Sequence, residues 1–143
     1  MRGTRVALFV HLIWATWNRE PLLTGDVERT VYRCLEATCQ ELDVEVLALG
    51  GVEDHLHLVV RMPATLSVAA LVKRLKGASS HLVTHEITRD QFFKWQGGYG
   101  AFSSGLKQLP DVCDYVRRQK EHHQAGALIP AYEPVEQDGT PHP

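Results

Sequence analysis

The chain of 143 residues has the length of one domain, and its 44% hydrophobic and 22% charged residues are ordinary for a globular protein. Its formal net charge of −2 excludes a surface that is basic all over, although a local basic patch is compatible with nucleic-acid binding. The sequence has no apolar run near the roughly 20 residues of a membrane helix, so we expect a cytoplasmic protein without a membrane partner. Three cysteines without metal-type spacing favour reduced thiols.

The first half of the chain predicts a strand, a helix and a hairpin. Residues 5–17 are rich in Val, Phe, Ile, Trp and Thr, which is typical of a strand. Thr24 or Asp26 can cap a helix whose apolar residues recur at helical spacing through residue 42. "VEVLALGGV" and "HLHLVVRM" are two further strand candidates, and the short link "GGVED" indicates that they form a hairpin.

The second half predicts a helix capped by Ser67, a glycine-bracketed strand in "GGYGAFSSG", and one further helix in "LPDVCDYVRRQKEHH" with Pro110 in its first turn. The order β-α-β-β-α-β followed by a helix predicts a ferredoxin-like, RRM-like α+β sandwich, with an antiparallel sheet and two helices on one face. We expect a domain over residues 1–125 and a loosely held Pro-rich tail over residues 126–143.

Two histidines are separated by one residue in the strand "HLHLVVRM". Side chains alternate along a strand, so His55, His57, Val59 and Arg61 share one face. The two histidine Cα atoms should be roughly 6.5 Å apart, a spacing at which both imidazoles can bind one divalent ion. Such pairs are more often exposed or hydrogen-bonded without a metal, so this pattern alone leaves both interpretations open.

The last helix carries a second candidate pair. Val112, Tyr115, Val116 and Gln119 form one stripe, which predicts that this face packs inward. Tyr115 offers a phenolic nucleophile, and the amide oxygen of Gln119 can complete a cation site beside two imidazoles. The alternative is that Tyr115 is a half-buried core aromatic and Gln119 a solvated helix residue.

Several stretches closely resemble the single-tyrosine HUH transposases, a family that includes the transposases of small bacterial insertion sequences and their relatives linked to repetitive palindromes. The similar stretches are "HLIWATWNREPLL", "DHLHLVV", "LVKRLKGASSH", "WQGGYGAFS" and "YVRRQKEHH", and together they run from about residue 8 to residue 123. The resemblance implies that His55 and His57 bind a metal, that Tyr115 is the nucleophile and that Gln119 is the third protein ligand. It also agrees with the fold predicted from periodicity.

For this family we expect a transposase that cleaves and rejoins single-stranded DNA through a 5′-phosphotyrosine intermediate. Mixed nitrogen and oxygen ligands suit Mn²⁺, and Mg²⁺ is acceptable. The expected partners are single-stranded DNA with hairpins and a second copy of the chain, since family members usually work as dimers in which the tyrosine helix can serve the other subunit. Lys73, Arg74 and Lys76 are candidates for contacts to the DNA backbone, or else a solvated helix face.

For several other residues we prefer a structural role over a role in binding or catalysis. Trp95, Tyr99 and Phe102 could stack on unpaired bases, but such a cluster more often closes a core. His11 is interpreted as a satisfied core histidine, and the pair His122 and His123 as helix-end cations. Other candidate nucleophiles by residue type are Tyr32, Tyr99 and Tyr132, none of which has a glutamine four residues on.

The main alternative function is a domesticated hairpin-DNA binder or an RNA-binding ferredoxin-like module without catalysis. All four catalytic residue types are present in the chain, which disfavours mere binding. A metal-storing or redox protein is a weaker alternative, because the cysteines are not clustered.

Overall fold

Strands and helices follow the predicted order β-α-β-β-α-β in the computed structural model, which describes residues 3–87, 92–126, 128–130 and 133. Two short helical turns, 3-10 at Trp17–Arg19 and π at Val83–Ile87, join longer elements. The main elements are β1 (Leu8–Ala15), α1 (Gly25–Glu41), β2 (Glu45–Val52), β3 (His55–Met62), α2 (Val68–Leu82), β4 (Gly100–Ser104), α3 (Leu109–Arg117) and α4 (Gln119–Ala125).

The four strands form one antiparallel sheet in the order β2-β3-β1-β4. β2 and β3 form the predicted hairpin, and β1 pairs with both β3 and β4. In this register Ile13 of β1 lies opposite His57, and His11 lies opposite both Val59 and Phe102. The ferredoxin-like α+β class predicted from the sequence is therefore confirmed, with the two middle strands carrying the histidines.

The two faces of the sheet have different partners. One face packs against α1 and α2 and forms the main core, which includes Leu12, Trp14, Leu56, Leu58, Val31, Leu35, Leu71 and Leu75. On the opposite face Ala48 and Val59 pack against Val112, Cys113 and Val116 of α3. His55 and His57 lie on this second face. The leucines of β3 therefore pack into the main core, while its two imidazoles lie beneath α3.

Two predicted boundaries are wrong. β1 runs over Leu8–Ala15 and is shorter than the predicted 5–17. The predicted single last helix divides at Arg118, whose φ of −103° and ψ of 28° end α3 before α4 begins. The Arg118 side chain forms ion pairs with Asp114 of α3 at 3.7 Å and with Glu121 of α4 at 2.9 Å. Because "YVRRQK" contains neither Gly nor Pro, periodicity alone does not predict this break.

The backbones of β2 and α3 approach each other at Gly50. A Cβ atom added to Gly50 would lie 2.1 Å from the carbonyl oxygen of Val116. Only glycine permits this approach, so Gly50 sets how closely the helix that bears Tyr115 packs on the sheet.

Among the described residues, no helix combines the length and the apolar character needed to cross a membrane.

Candidate active site

The imidazoles of His55 and His57 point to one common spot on the second face of the sheet. Both side chains are fully buried, at 0% exposure. Their Nε2 atoms lie 3.0 Å and 3.4 Å from the same carboxylate oxygen, Oε2 of Glu133. Strand alternation places the two rings on this face, and the structure adds a carboxylate from far along the chain.

His55 is oriented from behind by an ion pair. Its Nδ1–H donates to Oδ1 of Asp54 at 2.7 Å, and Asp54 in turn pairs with Arg19 at 3.2 Å. Burial alone lowers the pKa of His55, but the hydrogen bonds to Asp54 and Glu133 outweigh burial and hold this pKa above its ordinary value. An acceptor at Nδ1 leaves Nε2 directed at the site, which is how metal-binding histidines are commonly held.

His57 is oriented by another histidine. Its Nδ1 lies 2.9 Å from Nε2 of His11, and the two rings stack with centroids 5.2 Å apart. Burial lowers the pKa of His57, and the nearby carboxylate of Glu133 offsets this only in part. Burial and the neighbouring His57 also lower the pKa of His11 to about 4. Both rings are therefore neutral near pH 7, the form in which an imidazole nitrogen can bind a metal.

Tyr115 projects from α3 towards the same spot, with its ring centroid 6.1 Å from that of His57 in its own chain. Its hydroxyl donates to Oε1 of Glu133 at 2.5 Å and accepts from the amide of Ile129 at 3.0 Å. Burial raises the pKa of the phenol, and the hydrogen bond to Glu133 raises it further. Tyr115 is thus held in its protonated form.

Gln119, the first residue of α4, is 1% exposed, so the alternative of a solvated residue is wrong. Its Nε2 donates to the carbonyl oxygen of Tyr115 at 3.3 Å, and its Oε1 accepts from Nε2 of His123 at 3.1 Å. The carbonyl of Tyr115 can only accept, which fixes the amide with its oxygen towards His123. His123 lies between Gln119 and His55, with its ring centroid 4.9 Å from that of His55. Direct ligation by Gln119 stays a prediction.

Glu133 is the residue that sequence reasoning missed, because it lies in the stretch interpreted as a loose tail. Its carboxylate bridges the Tyr115 hydroxyl and both imidazoles. Burial alone raises the pKa of Glu133, but hydrogen bonds from His55, His57 and Tyr115 outweigh burial and hold it far below its ordinary value. An isolated glutamate among prolines carries no motif that could have identified it. Most of the predicted tail, including Tyr132, lies outside the described residues.

These donors fit a divalent cation. One ligand atom each from His55, His57 and Glu133 lies within 4.8 Å of the others. Bonds of about 2.0–2.2 Å to a common ion place neighbouring ligand atoms about 3.0–3.4 Å apart, and the two nitrogen–carboxylate distances of 3.0 Å and 3.4 Å lie in that range. Two imidazole nitrogens with a carboxylate oxygen are a mixed set that several divalent ions accept.

The three basic residues of α2 have different surroundings. Lys73 and Arg74 are exposed, and Arg74 lies 3.4 Å from Glu41. Lys76 is half-buried, and its ammonium donates to the carbonyl oxygens of Gln96 at 2.7 Å and Gly98 at 2.9 Å. Lys76 therefore fastens the loop before β4, and DNA contacts by Lys73, Arg74 and Lys76 stay a prediction.

The three aromatic residues Trp95, Tyr99 and Phe102 differ in their exposure to solvent. Trp95 is buried, and its Nε1 donates to Oγ of Ser79 at 3.0 Å, so the interpretation as a core residue is right for Trp95. It is wrong for Tyr99 and Phe102, which are 44% and 43% exposed. Tyr32 packs against the main core on the opposite side of the sheet from the histidines.

Comparison with known proteins gives consistent matches over most of the chain. Residues 4–119 match the model of the family described as "Transposase IS200 like". The transposase for insertion sequence element IS200 of Salmonella typhimurium is 29% identical over 125 residues, covering 83% of this chain and 81% of that protein. The ISDra2 transposase TnpA of Deinococcus radiodurans is 32% identical over 125 residues, covering 84% of this chain and 89% of the relative.

Two solved structures share the fold. A candidate transposase from Deinococcus radiodurans R1 superposes with a TM-score of 0.68 and 24% identity, covering 83% of this chain and 95% of that one. A REP-associated tyrosine transposase bound to a REP hairpin superposes with a TM-score of 0.65 and 13% identity, covering 90% of this chain and 74% of the other. At these identities the superpositions show that the folds agree.

Proposed function

Because the chain belongs to the IS200-like transposase family, it is a transposase, and we propose that it cuts and rejoins single-stranded DNA with Tyr115 as the nucleophile. The observation that carries this proposal is the convergence of the Tyr115 hydroxyl with two buried imidazoles and a carboxylate at one spot. A nucleophile beside a cation site is the arrangement that phosphoryl transfer needs.

The proposed step forms a bond between the phenolic oxygen of Tyr115 and phosphorus and breaks the bond from phosphorus to the 3′-oxygen of the DNA. The phenol loses its proton, and the departing 3′-oxygen gains one. The products are a 5′-phosphotyrosine and a free 3′-hydroxyl, so a second 3′-hydroxyl can reverse the step and join strands. The energy of the phosphodiester is kept in the enzyme–DNA bond.

His55, His57 and Gln119 are the residues we propose to hold a divalent cation, Mg²⁺ or Mn²⁺. When bound there, the cation would polarise a non-bridging phosphate oxygen and stabilise charge on the leaving 3′-oxygen. Asp54 orients His55 from behind, and burial keeps His57 neutral. α3 holds the phenol on the same side of the sheet as the imidazoles.

The direct test is incubation with single-stranded oligonucleotides that carry candidate hairpins, with Mn²⁺ or Mg²⁺ added. We expect a protein–DNA adduct that survives denaturing electrophoresis and that EDTA abolishes. Labelling the DNA on the 3′ side of the cut should label the adduct, since the tyrosine takes the 5′-phosphate. Salt-sensitive DNA binding that ignores the chelator and yields no adduct would contradict the proposal and indicate a binding module.

We further propose that Glu133 is an oxygen ligand of the same cation. Glu133→Gln keeps the shape but removes the charge, so we expect it to weaken Mn²⁺ binding by about 10-fold or more. Isothermal titration of Mn²⁺ into the wild type and the variant measures this directly. Glu121→Gln, which changes an exposed glutamate paired with Arg118, is the matched control. Unchanged or tighter Mn²⁺ binding in Glu133→Gln would remove Glu133 from the ligand set.

We propose hairpin-bearing single-stranded DNA as the partner and a homodimer as the working unit. The REP-associated relative is bound to a REP hairpin, which supports the choice of DNA. Within one chain Tyr115 already lies beside its own His57, so the proposed chemistry needs no exchange of helices between subunits. Light scattering of the protein with and without DNA tests the homodimer.

A further inference from the structure

A buried histidine on β1 stands directly behind the proposed metal site. His11 is 2% exposed and lies in the middle strand pair, opposite Val59. Its Nε2 is 2.9 Å from Nδ1 of His57, the nitrogen that faces away from Glu133. The contact joins residues 46 positions apart, so the sheet register creates it and no local motif contains it.

The two candidate metal-binding histidines are supported differently. Behind His55 stands a carboxylate, Asp54, which can only accept a hydrogen bond and therefore requires a proton on Nδ1 of His55. Behind His57 stands an imidazole, which can donate or accept according to where its own proton lies. The direction of this second hydrogen bond decides whether Nε2 of His57 has a free lone pair.

We propose that His11 is a positioning residue: its Nε2 accepts a hydrogen bond from Nδ1–H of His57 and so turns the lone pair of His57 Nε2 towards the cation. This inference rests on the proposed function, in which His57 is a ligand through Nε2. With the opposite direction, Nε2 of His11 would donate, the proton of a neutral His57 would lie on Nε2, and no cation could bind there.

The surroundings support this assignment. The rings of His11 and His57 stack at an interplanar angle of 25°, and Phe102 covers His11 with its ring centroid 6.3 Å away. His57 is fully buried, so its ring is held by packing, by the stacked ring of His11 and by the hydrogen bond to Nε2 of His11. A group that hydrogen-bonds the nitrogen of a metal-binding histidine that does not bind the metal commonly raises metal affinity, because it fixes the orientation and tautomer of the ring. His11 is that group for Nδ1 of His57.

Mn²⁺ affinity of the wild type, His11→Leu and His11→Gln tests the proposal. Leucine removes the acceptor, whereas the side-chain oxygen of glutamine can take the place of Nε2. We expect His11→Leu to weaken Mn²⁺ binding by about 10–100-fold and His11→Gln to restore it to within about threefold of the wild type. His81→Leu, which replaces an exposed histidine on α2 and leaves the contact between His11 and His57 unchanged, should bind Mn²⁺ like the wild type.

A second measurement does not depend on any variant folding. In ¹⁵N-labelled wild type saturated with Mg²⁺, Nδ1 of His57 should carry a proton and show a coupling through the hydrogen bond to Nε2 of His11. Mn²⁺ binding by His11→Leu equal to that of the wild type, equal losses in His11→Leu and His11→Gln, or a missing coupling would each overturn the role of His11. A wild type that binds no Mn²⁺ would instead contradict the proposed metal site.

Discussion

Replacing Tyr115 with phenylalanine is expected to lower the rate of covalent adduct formation by at least about 10³-fold. The variant keeps the ring that packs beside His57 and His122 and loses only the oxygen that would bond to phosphorus. Denaturing electrophoresis of the protein with labelled hairpin DNA and Mn²⁺ measures the effect. DNA binding should be retained, because the phenol contributes little to the electrostatic attraction for the backbone.

The same variant should still fold. Phenylalanine removes the hydrogen bonds of the hydroxyl to Glu133 and to the amide of Ile129, at a cost of about 1–3 kcal/mol in the free energy of unfolding. Tyr99→Phe is the matched control, since Tyr99 is 44% exposed, and it should form adduct at the normal rate. Normal adduct formation by Tyr115→Phe would assign the nucleophile to another residue.

Gly50→Ala is expected to lower both stability and adduct formation. The new Cβ would lie 2.1 Å from the carbonyl oxygen of Val116, a backbone atom that cannot rotate away. α3 must therefore move off β2, at a cost of about 1–3 kcal/mol in the free energy of unfolding. Since α3 carries Tyr115, the phenol moves away from His57 as well, and misplacement by about 1 Å can lower a rate by about 10²-fold.

Urea unfolding and the adduct assay together measure the effect of Gly50→Ala. The control is Gly77→Ala on α2, where an added Cβ has no neighbour within 4 Å. Alanine has the higher helix propensity, so Gly77→Ala should be as stable as the wild type or more stable by up to about 1 kcal/mol. If Gly50→Ala unfolds at the wild-type urea concentration, the backbones of α3 and β2 are not close enough at Gly50 for an added Cβ to clash.

Much of the fold follows from local patterns in the sequence. Alternation of apolar residues marks the strands, and the hairpin link marks the pairing of β2 with β3. Ser67 caps α2 as predicted, with its side chain accepting from the amide of Ala70 at 3.1 Å. The shared face of His55 and His57 follows from strand geometry alone, which is why the core of the site could be proposed from the sequence.

Other features depend on contacts that no local pattern records. Glu133 meets His55 across 78 positions of sequence, and His11 meets His57 across 46. Lys76 belongs to a basic cluster of the kind that binds DNA, but its ammonium donates hydrogen bonds to two loop carbonyls. The break at Arg118 occurs among good helix formers, where tertiary packing overrides local propensity.

The hydrogen bond from the Gln119 amide to the Tyr115 carbonyl restricts what can replace Gln119, beside the role proposed for it as a metal ligand. Carboxylates are stronger ligands than amides for hard cations, so Glu at this position looks like an improvement. A glutamate, however, would set a carboxylate oxygen against the Tyr115 carbonyl, which now receives the amide N–H. Two acceptors facing each other in a buried space repel, and the carbonyl of Tyr115 would lose this hydrogen bond. The hydrogen bond to the Tyr115 carbonyl thus favours a neutral amide at this position, whether or not Gln119 binds the proposed cation.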